Sequence, residues 1–422
     1  MITSLRLKNF KNFADETLKL GPFTVIVGAN ASGKSNIRDA FRFLHGIGRG
    51  YTLAEIVGGK VGGGGETVWE RIRGAPNEIV RFARTYPFEW ATFSFRLAIE
   101  ANGEFDYFIK GGFNQNDLDG FRVFAEHLIG PSGPIYETTG ETDIPRLQIR
   151  LSDGREFPFE NSAFRLVANK PILTQLYQPG LVPPPYQDPV PDIPAIFGNV
   201  RFLDLSPAWM REPSVPGATI LGDHGQNLPT VLESICTDPD RKQTLLSWFE
   251  ELTPMDVRGF EFPRDPSGRV HLYITERNGR KVSAYSASDG TLRFLAILAT
   301  LLNEESGGVY FFEDIDSGIH SNRLWLLIDL IERQTARGTI QVITTTHSPA
   351  LLGWMNDTTF QHTSVVFRDE YSADGIIRPV SELPNIRELR ETQGLGRLIT
   401  SGWMEDALAL TADGDGAAEV QA

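Results

Sequence analysis

Residues 28–35, GANASGKS, carry two glycines, a lysine and a serine at the spacing G-x-x-x-x-G-K-[ST]. That spacing suits the binding of a phosphate chain. Gly28 and Gly33 let the backbone turn tightly enough for successive N–H groups to face phosphate oxygens. Lys34 can reach the β- and γ-phosphates, and the Ser35 hydroxyl can bind Mg²⁺. The turn needs a strand before it and a helix after it, and the sequence supplies both. Residues 23–27, FTVIV, read as a buried strand. Ile37, Ala40, Phe41 and Leu44 fall at i, i+3, i+4 and i+7, one apolar helix face. The positive end of that helix points at the same anion.

Further groups fit the same chemistry. An apolar strand at residues 309–312 ends in Glu313-Asp314. Acids at the mouth of a buried strand are costly unless solvated or paired with Mg²⁺ or water. Beside a phosphate loop, one acid near Mg²⁺ and another orienting water is what hydrolysis needs. A β-branched strand at 341–346 runs into His347, which places the imidazole at the carboxyl edge of an α/β sheet, where ligands bind. Ser288 is a plausible helix N-cap, and Asp289-Gly290-Thr291 opens a helix running to residue 302. Leu324, Leu327, Ile328 and Ile331 mark a helix between the two strands, and strand–helix–strand implies a right-handed parallel crossover.

The rest of the chain frames these pieces. Strands are expected at residues 2–7 and 17–20, joined by a turn at 11–15. A β region covers 79–84, 92–100, 105–110, 147–151 and 156–159, with Asn102-Gly103 and Asp153-Gly154 as hairpin signals. The run GGKVGGGG at 58–65 reads as a flexible loop. Residues 178–194 are proline-rich and exclude helix. Helix is expected over 226–252, broken at Asp238-Pro239, then strands at 260–262, 270–275 and 281–284. The tail 412–422 is small and acidic, and disorder is expected there.

The chain has 422 residues, 41% apolar and 22% charged, with a net charge of −14. This is a globular composition of one large or two ordinary domains. The acidic balance argues against a general nucleic-acid surface, though not against a local basic groove. One cysteine, Cys236, excludes an internal disulfide framework and a cysteine zinc cluster. The N-terminus has no signal-peptide pattern, and no apolar run is long enough to span a bilayer, so a cytoplasmic protein is expected.

In this order the pieces resemble the ABC-type ATPase heads of the SMC, RecF and OLD group. They are most similar to compact prokaryotic RecF-like "AAA family ATPase" proteins, many of which occur in antiphage defence modules. The resemblance covers about residues 1–405. It makes LKNFKNF the opening motif, with Lys11 near the nucleotide. It makes residues 28–36 the Walker A motif, adding Asn30, Ala31, Ser32 and Asn36 to the binding loop. ASDGT at 287–291 matches the ABC signature, in which Ser288 and Gly290 touch the γ-phosphate held by the other subunit. FFEDIDSGIH at 311–320 matches Walker B and the D-loop, and TTTHSP at 344–349 the switch-histidine loop. The implied ligands are ATP and Mg²⁺, with Ser35 and Glu313 on the metal side. Asp314 and His347 then stand at the reacting phosphate.

The fold implied is α/β: a P-loop NTPase of the ABC/SMC-head kind, with a parallel core sheet, an antiparallel β subdomain and a helical insertion. The expected division is 1–165 for an N-terminal lobe, 166–255 for the insertion, 256–405 for a C-terminal lobe and 406–422 for a tail. Walker B departs from the usual Asp-Glu order, so slow hydrolysis is expected. No glutamine matches the Q-loop, and neither a long coiled coil nor a Toprim nuclease is expected. The function implied is an ATPase whose two heads close around ATP and switch a separate effector, such as a nuclease or toxin. The alternatives are a RecF-like DNA-handling ATPase and a slowly hydrolysing ATP-dependent scaffold.

Overall fold

The computed structural model describes the chain except residues 82–89, 114–119, 140–145, 158–164, 177–191, 254, 304–306, 320–322, 348, 370–371, 384–385 and 387–422. Most of the proline-rich stretch, the whole acidic tail, His320 and Ser348 therefore lie outside the described residues. The chain forms two compact units. One comprises Met1–Gly21, Gly28–Val200 and Ser364–Pro379; the other comprises Pro22–Val27, Arg201–Thr363 and Val380–Ala422.

The first unit is built on a large antiparallel sheet. Ile2–Phe10 lies between Phe13–Lys19 and Ala91–Glu100, and the sheet continues through Glu104–Phe113, Phe121–Gly130, Gly133–Thr139, Arg146–Leu151 and Glu156–Phe157. Ala91–Glu100 alternates buried with half-buried or exposed positions along its length, so one sheet face is apolar and the other carries the polar side chains Thr92, Ser94, Arg96 and Glu100. The helix Lys34–Gly48 packs on the apolar face. Its Phe43 ring lies 5.3 Å from Phe93 and 4.9 Å from Phe95, and Phe10 lies 4.9 Å from Phe95. All four rings are at most 2% exposed, and each contributes roughly 1.5–3 kcal/mol by burial.

Three expectations change here. The turn after Ile2–Phe10 is tight, and the next strand begins at Phe13 rather than near residue 17. The 58–65 glycine run is not all loop: Lys60–Val61 pairs with Thr67–Trp69. The buried Trp69 indole, which donates to Ile56 O at 3.1 Å and stacks on His45, anchors that hairpin. Pro76–Ile79 is a 3₁₀ turn with one bridge, Phe10 to Val80, where a strand was expected; residues 82–84 lie outside the described residues.

The second unit holds a parallel sheet in which Val200–Leu203, Gly308–Phe312, Ile340–Thr346 and Phe23–Val27 lie side by side. The last three run parallel, with Phe312 opposite Thr344 and Thr346 opposite Val27. Phe23–Val27 and Ile340–Thr346 are buried throughout, as parallel strands covered on both faces must be. The helices Asp289–Leu301 and Leu324–Thr335 supply apolar faces to this unit, and Val257–Glu261, Tyr273–Glu276 and Lys281–Ser283 form a small antiparallel sheet. The expected break at Asp238-Pro239 separates the helices Leu228–Ile235 and Pro239–Leu252.

Candidate functional site

In the second unit, Phe23–Val27, Ile340–Thr346 and Gly308–Phe312 end on one edge of the parallel sheet. Gly28, His347 and Glu313 are the residues that directly follow these ends. The carboxyl edge of a parallel sheet is where α/β proteins place ligands.

The phosphate loop belongs to the first unit. A Cβ at Gly28 would stand 2.2 Å from the carbonyl oxygen of Val366, so no larger residue fits. Ala31 has φ 63° and Gly33 φ 121°, left-handed positions of the kind found where successive N–H groups form an anion-binding nest. Lys34 Nζ donates to the carbonyls of Gly28 at 2.6 Å and Ala29 at 2.8 Å, folding the loop around the ammonium. Asn30, Ala31 and Ser35 are exposed, whereas the Ser32 hydroxyl is buried without a partner among the described residues. The helix Lys34–Gly48 starts with no side-chain cap and no acid in its first turn. An uncapped helix start, an orphaned hydroxyl and a lysine on the loop together fit a polyphosphate.

The loop is braced from outside by residues that lie beyond the motif itself. Asn12 Nδ2 donates to Ser32 O at 3.2 Å, and Asn36 Nδ2 donates to Asn12 Oδ1 at 2.7 Å. Gly375 N donates to Asn12 O at 2.8 Å. The Asn12 amide lies so close that a Cβ at Gly33 would approach its Nδ2 to 2.8 Å. Lys11, at φ 52°, donates through Nζ to Asp39 Oδ2 at 2.8 Å and to the Arg73 carbonyl. Asp39 is 1% exposed and also meets Arg73 Nε at 3.3 Å, and Arg73 Nη2 reaches Ser35 O at 2.5 Å. The sequence signals for these residues are faint: Asn12 sits inside LKNFKNF, and Asp39 lies on a helix flank with Ser35, Asn36 and Arg42, where an acid reads as solvent-facing.

In the second unit the structure brings Asp314 and His347 together, with His347 Nε2 at 3.5 Å from Asp314 Oδ1. Asp314 has φ 45°, a left-handed conformation that costs about 1–2 kcal/mol. Its N–H donates to Thr345 Oγ1 at 3.0 Å, which holds it there. Thr346 Oγ1 donates to Asp316 Oδ1 at 2.7 Å, so the threonine run ending Ile340–Thr346 fixes two acids of the loop that follows the neighbouring strand Gly308–Phe312. Glu313 lies half-buried directly after Phe312. Ser288 caps its helix, accepting from Thr291 N at 3.2 Å. Gly290 packs on Gly318: a Cβ there would stand 2.1 Å from Gly318 O. The turn at Ser288–Gly290 and the loop that contains Gly318 are thus fitted backbone to backbone. Arg211 Nη2 braces the same turn through Asp289 Oδ1 at 2.6 Å and Ala287 O at 3.0 Å. Among the described residues no cluster of three or more histidine, cysteine or acidic side chains could hold a metal. No helix there is long and apolar enough to cross a membrane.

Comparison with known proteins gives the following. No curated protein matches the sequence. The structure is similar to an SmcHead bound to the C-winged helix domain of ScpA, at 15% identity, covering 89% of this chain and 97% of that one, TM-score 0.46. It is also similar to the SMC head domain from Thermotoga maritima, at 14% identity over 90% of this chain and 98% of that one, TM-score 0.43. A third similar structure is a Smc head domain with an extended coiled coil bound to the C-terminal domain of ScpA from Pyrococcus furiosus, at 13% identity over 92% and 98%, TM-score 0.43. The family described as "AAA domain, putative AbiEii toxin, Type IV TA system" matches residues 23–353, from the strand before the phosphate loop to beyond His347. The match spans well over half of the chain, and the protein belongs to this AAA-domain family.

Proposed function

We propose that the protein binds ATP with Mg²⁺ on the loop 28–36 and hydrolyses it, and that two such heads close around ATP to switch a separate partner. The observation that carries the first part is the loop: it wraps the Lys34 ammonium, the helix start is uncapped, and the buried Ser32 hydroxyl has no partner among the described residues, which together suit an anion. Ser35 and Glu313 have the oxygen donors that Mg²⁺ prefers, and the ion when bound would offset charge on the β- and γ-phosphates. Asp314 orients the attacking water, and His347, 3.5 Å away, senses the γ-phosphate. Glu313-Asp314 reverses the usual acid order, which supports slow turnover.

The dimer reading rests on Ser288 and Gly290. They open a second helix N-terminus, and closing it over the nucleotide of another copy uses both helix starts. The family description names a "putative AbiEii toxin" of a type IV toxin–antitoxin system, which supports a separately encoded partner of the kind such a two-component system contains. Phosphate release by the purified protein tests the ATPase reading. Lys34→Ala should remove turnover and magnesium-dependent ATP binding while leaving the circular dichroism spectrum and melting curve unchanged. A folded Lys34→Ala protein that turns over at the wild-type rate would reject it.

A further inference from the structure

The polar face of the large antiparallel sheet carries a cleft that the phosphate loop does not use. Thr92, Ser94 and Arg96 point away from the buried side of Ala91–Glu100. Sheet register sets Arg6 opposite Arg96 and Lys8 opposite Ser94. On the other side it sets Lys110 opposite Ser94 and Phe108 opposite Arg96. These residues, with Asn9, line a cavity of about 350 Å³.

Arg6, Lys8, Arg96 and Lys110 all line the cavity, and among the described residues no carboxylate does. Asp15 and Asp106 stand beside it and hold three of the cations in place. Arg6 Nε meets Asp15 at 2.6 Å, Lys8 Nζ lies 3.6 Å from Asp15, and Arg96 Nη2 lies 2.7 Å from Asp106. Among the described residues, four cations against two carboxylates leave two positive charges concentrated in one cleft of a chain whose net charge is −14. Residues two apart on a strand are roughly 7 Å apart, and adjacent strands roughly 5 Å, so the cations spread over about 7 by 10 Å. That is wider than one phosphate group needs.

The cleft also has an aromatic wall. Phe108 lines it, and its ring is stacked with His127 at 5.0 Å and 17°, which fixes its orientation. The Thr92 and Ser94 hydroxyls and the Asn9 amide add neutral hydrogen-bonding groups. Asn9 is held at φ 52° at this place. Spread cations, an aromatic ring and neutral donors suit a ligand with phosphate charges, a sugar and a flat base.

We propose that this cleft is a second site, separate from the phosphate loop, for a nucleotide unit, either free or within a single-stranded nucleic acid. It does not depend on the ATPase reading. The test uses Lys34→Ala protein without Mg²⁺, so that the loop contributes nothing. AMP and ADP are titrated by calorimetry, and a short labelled single-stranded oligonucleotide by fluorescence anisotropy. The comparison protein adds Lys8→Ala and Lys110→Ala, both exposed on the sheet, and its melting curve reports folding.

Binding in either arm that weakens by about tenfold or more in the comparison protein supports the site. Binding of AMP or ADP assigns a free nucleotide; binding of the oligonucleotide alone assigns a strand. In the strand arm, raising salt from about 50 to 200 mM should cost roughly fiftyfold with four phosphate contacts and roughly sevenfold with two. Absence of binding in both arms, or binding within about twofold in the comparison protein, overturns the proposal.

Discussion

Replacing Glu126 by glutamine should change how stability depends on pH. Glu126 is fully buried in the first unit. Its Oε1 accepts from Tyr107 Oη at 3.1 Å, Tyr136 Oη at 2.9 Å and Leu173 N at 2.8 Å, and its Oε2 accepts from Ile172 N at 2.6 Å. Burial outweighs these four donors and pushes the carboxyl from 4.5 up to about 7. The folded state therefore holds the proton more tightly than the unfolded chain. The stabilisation is fully present below pH 4.5 and is lost as pH rises through 7. At about 1.4 kcal/mol per unit, the loss across that window is ~3 kcal/mol.

Glutamine does not titrate. Its NH₂ must face at least one of the four donors, a cost of roughly 1–3 kcal/mol that does not vary with pH. Urea unfolding of both proteins at intervals between pH 5 and 8 reads the difference directly. Glu126→Gln should be the less stable protein at pH 5, and the gap should close by ~3 kcal/mol towards pH 8. Comparing the two proteins cancels other titrating groups, such as the raised Glu16 carboxyl. Curves that stay parallel across the window would show that Glu126 keeps one protonation state throughout, and the argument from burial would be wrong.

Other outcomes follow from the candidate site. Asp314→Asn should retain ATP, trap a dimer on size exclusion and lower turnover on the order of 10²-fold or more; unchanged turnover would move the role to Glu313. His347→Ala should slow hydrolysis more than it weakens ATP binding, measured by phosphate release against nucleotide titration. Asn12→Ala frees Ser32 and Asn36, so the ATP Kd should rise about tenfold, the equivalent of ~1.4 kcal/mol, with little change in kcat. An equal fall in kcat would mean that Asn12 does more than position the loop. Ser288→Arg and Lys34→Ala proteins, each inactive alone, should regain part of the activity when mixed; a Ser288→Arg monomer at full activity would refute the two-headed arrangement.

Features confined to a few consecutive residues are legible in the sequence alone. The glycine-rich turn, the strand before it and the helix after it appear at 28–33, Phe23–Val27 and Lys34–Gly48 because turn chemistry and periodicity are local. The Ser288 cap and the turn at Asn102-Gly103, with φ 54° and 140°, are local in the same way. Phe121–Gly130 and Gly133–Thr139 are not legible. The first buries an acidic residue, Glu126, on its inner side, and the second carries a proline and little apolar alternation, so neither shows a clean period of two.

What tertiary structure alone decides are pairings between distant residues. Lys11 meets Asp39 across 28 positions, and Gly290 meets the backbone of Gly318. Asn12 reaches Ser32, Asn36 and Gly375, a meeting that no spacing in the sequence encodes. Arg6, Lys8, Arg96 and Lys110 become one cleft only because three strands pair in a particular register. A slip of one residue would turn each of these side chains to the other face, and that register is set by burial of Phe93 and Phe95 beneath the sheet rather than by the charged residues themselves.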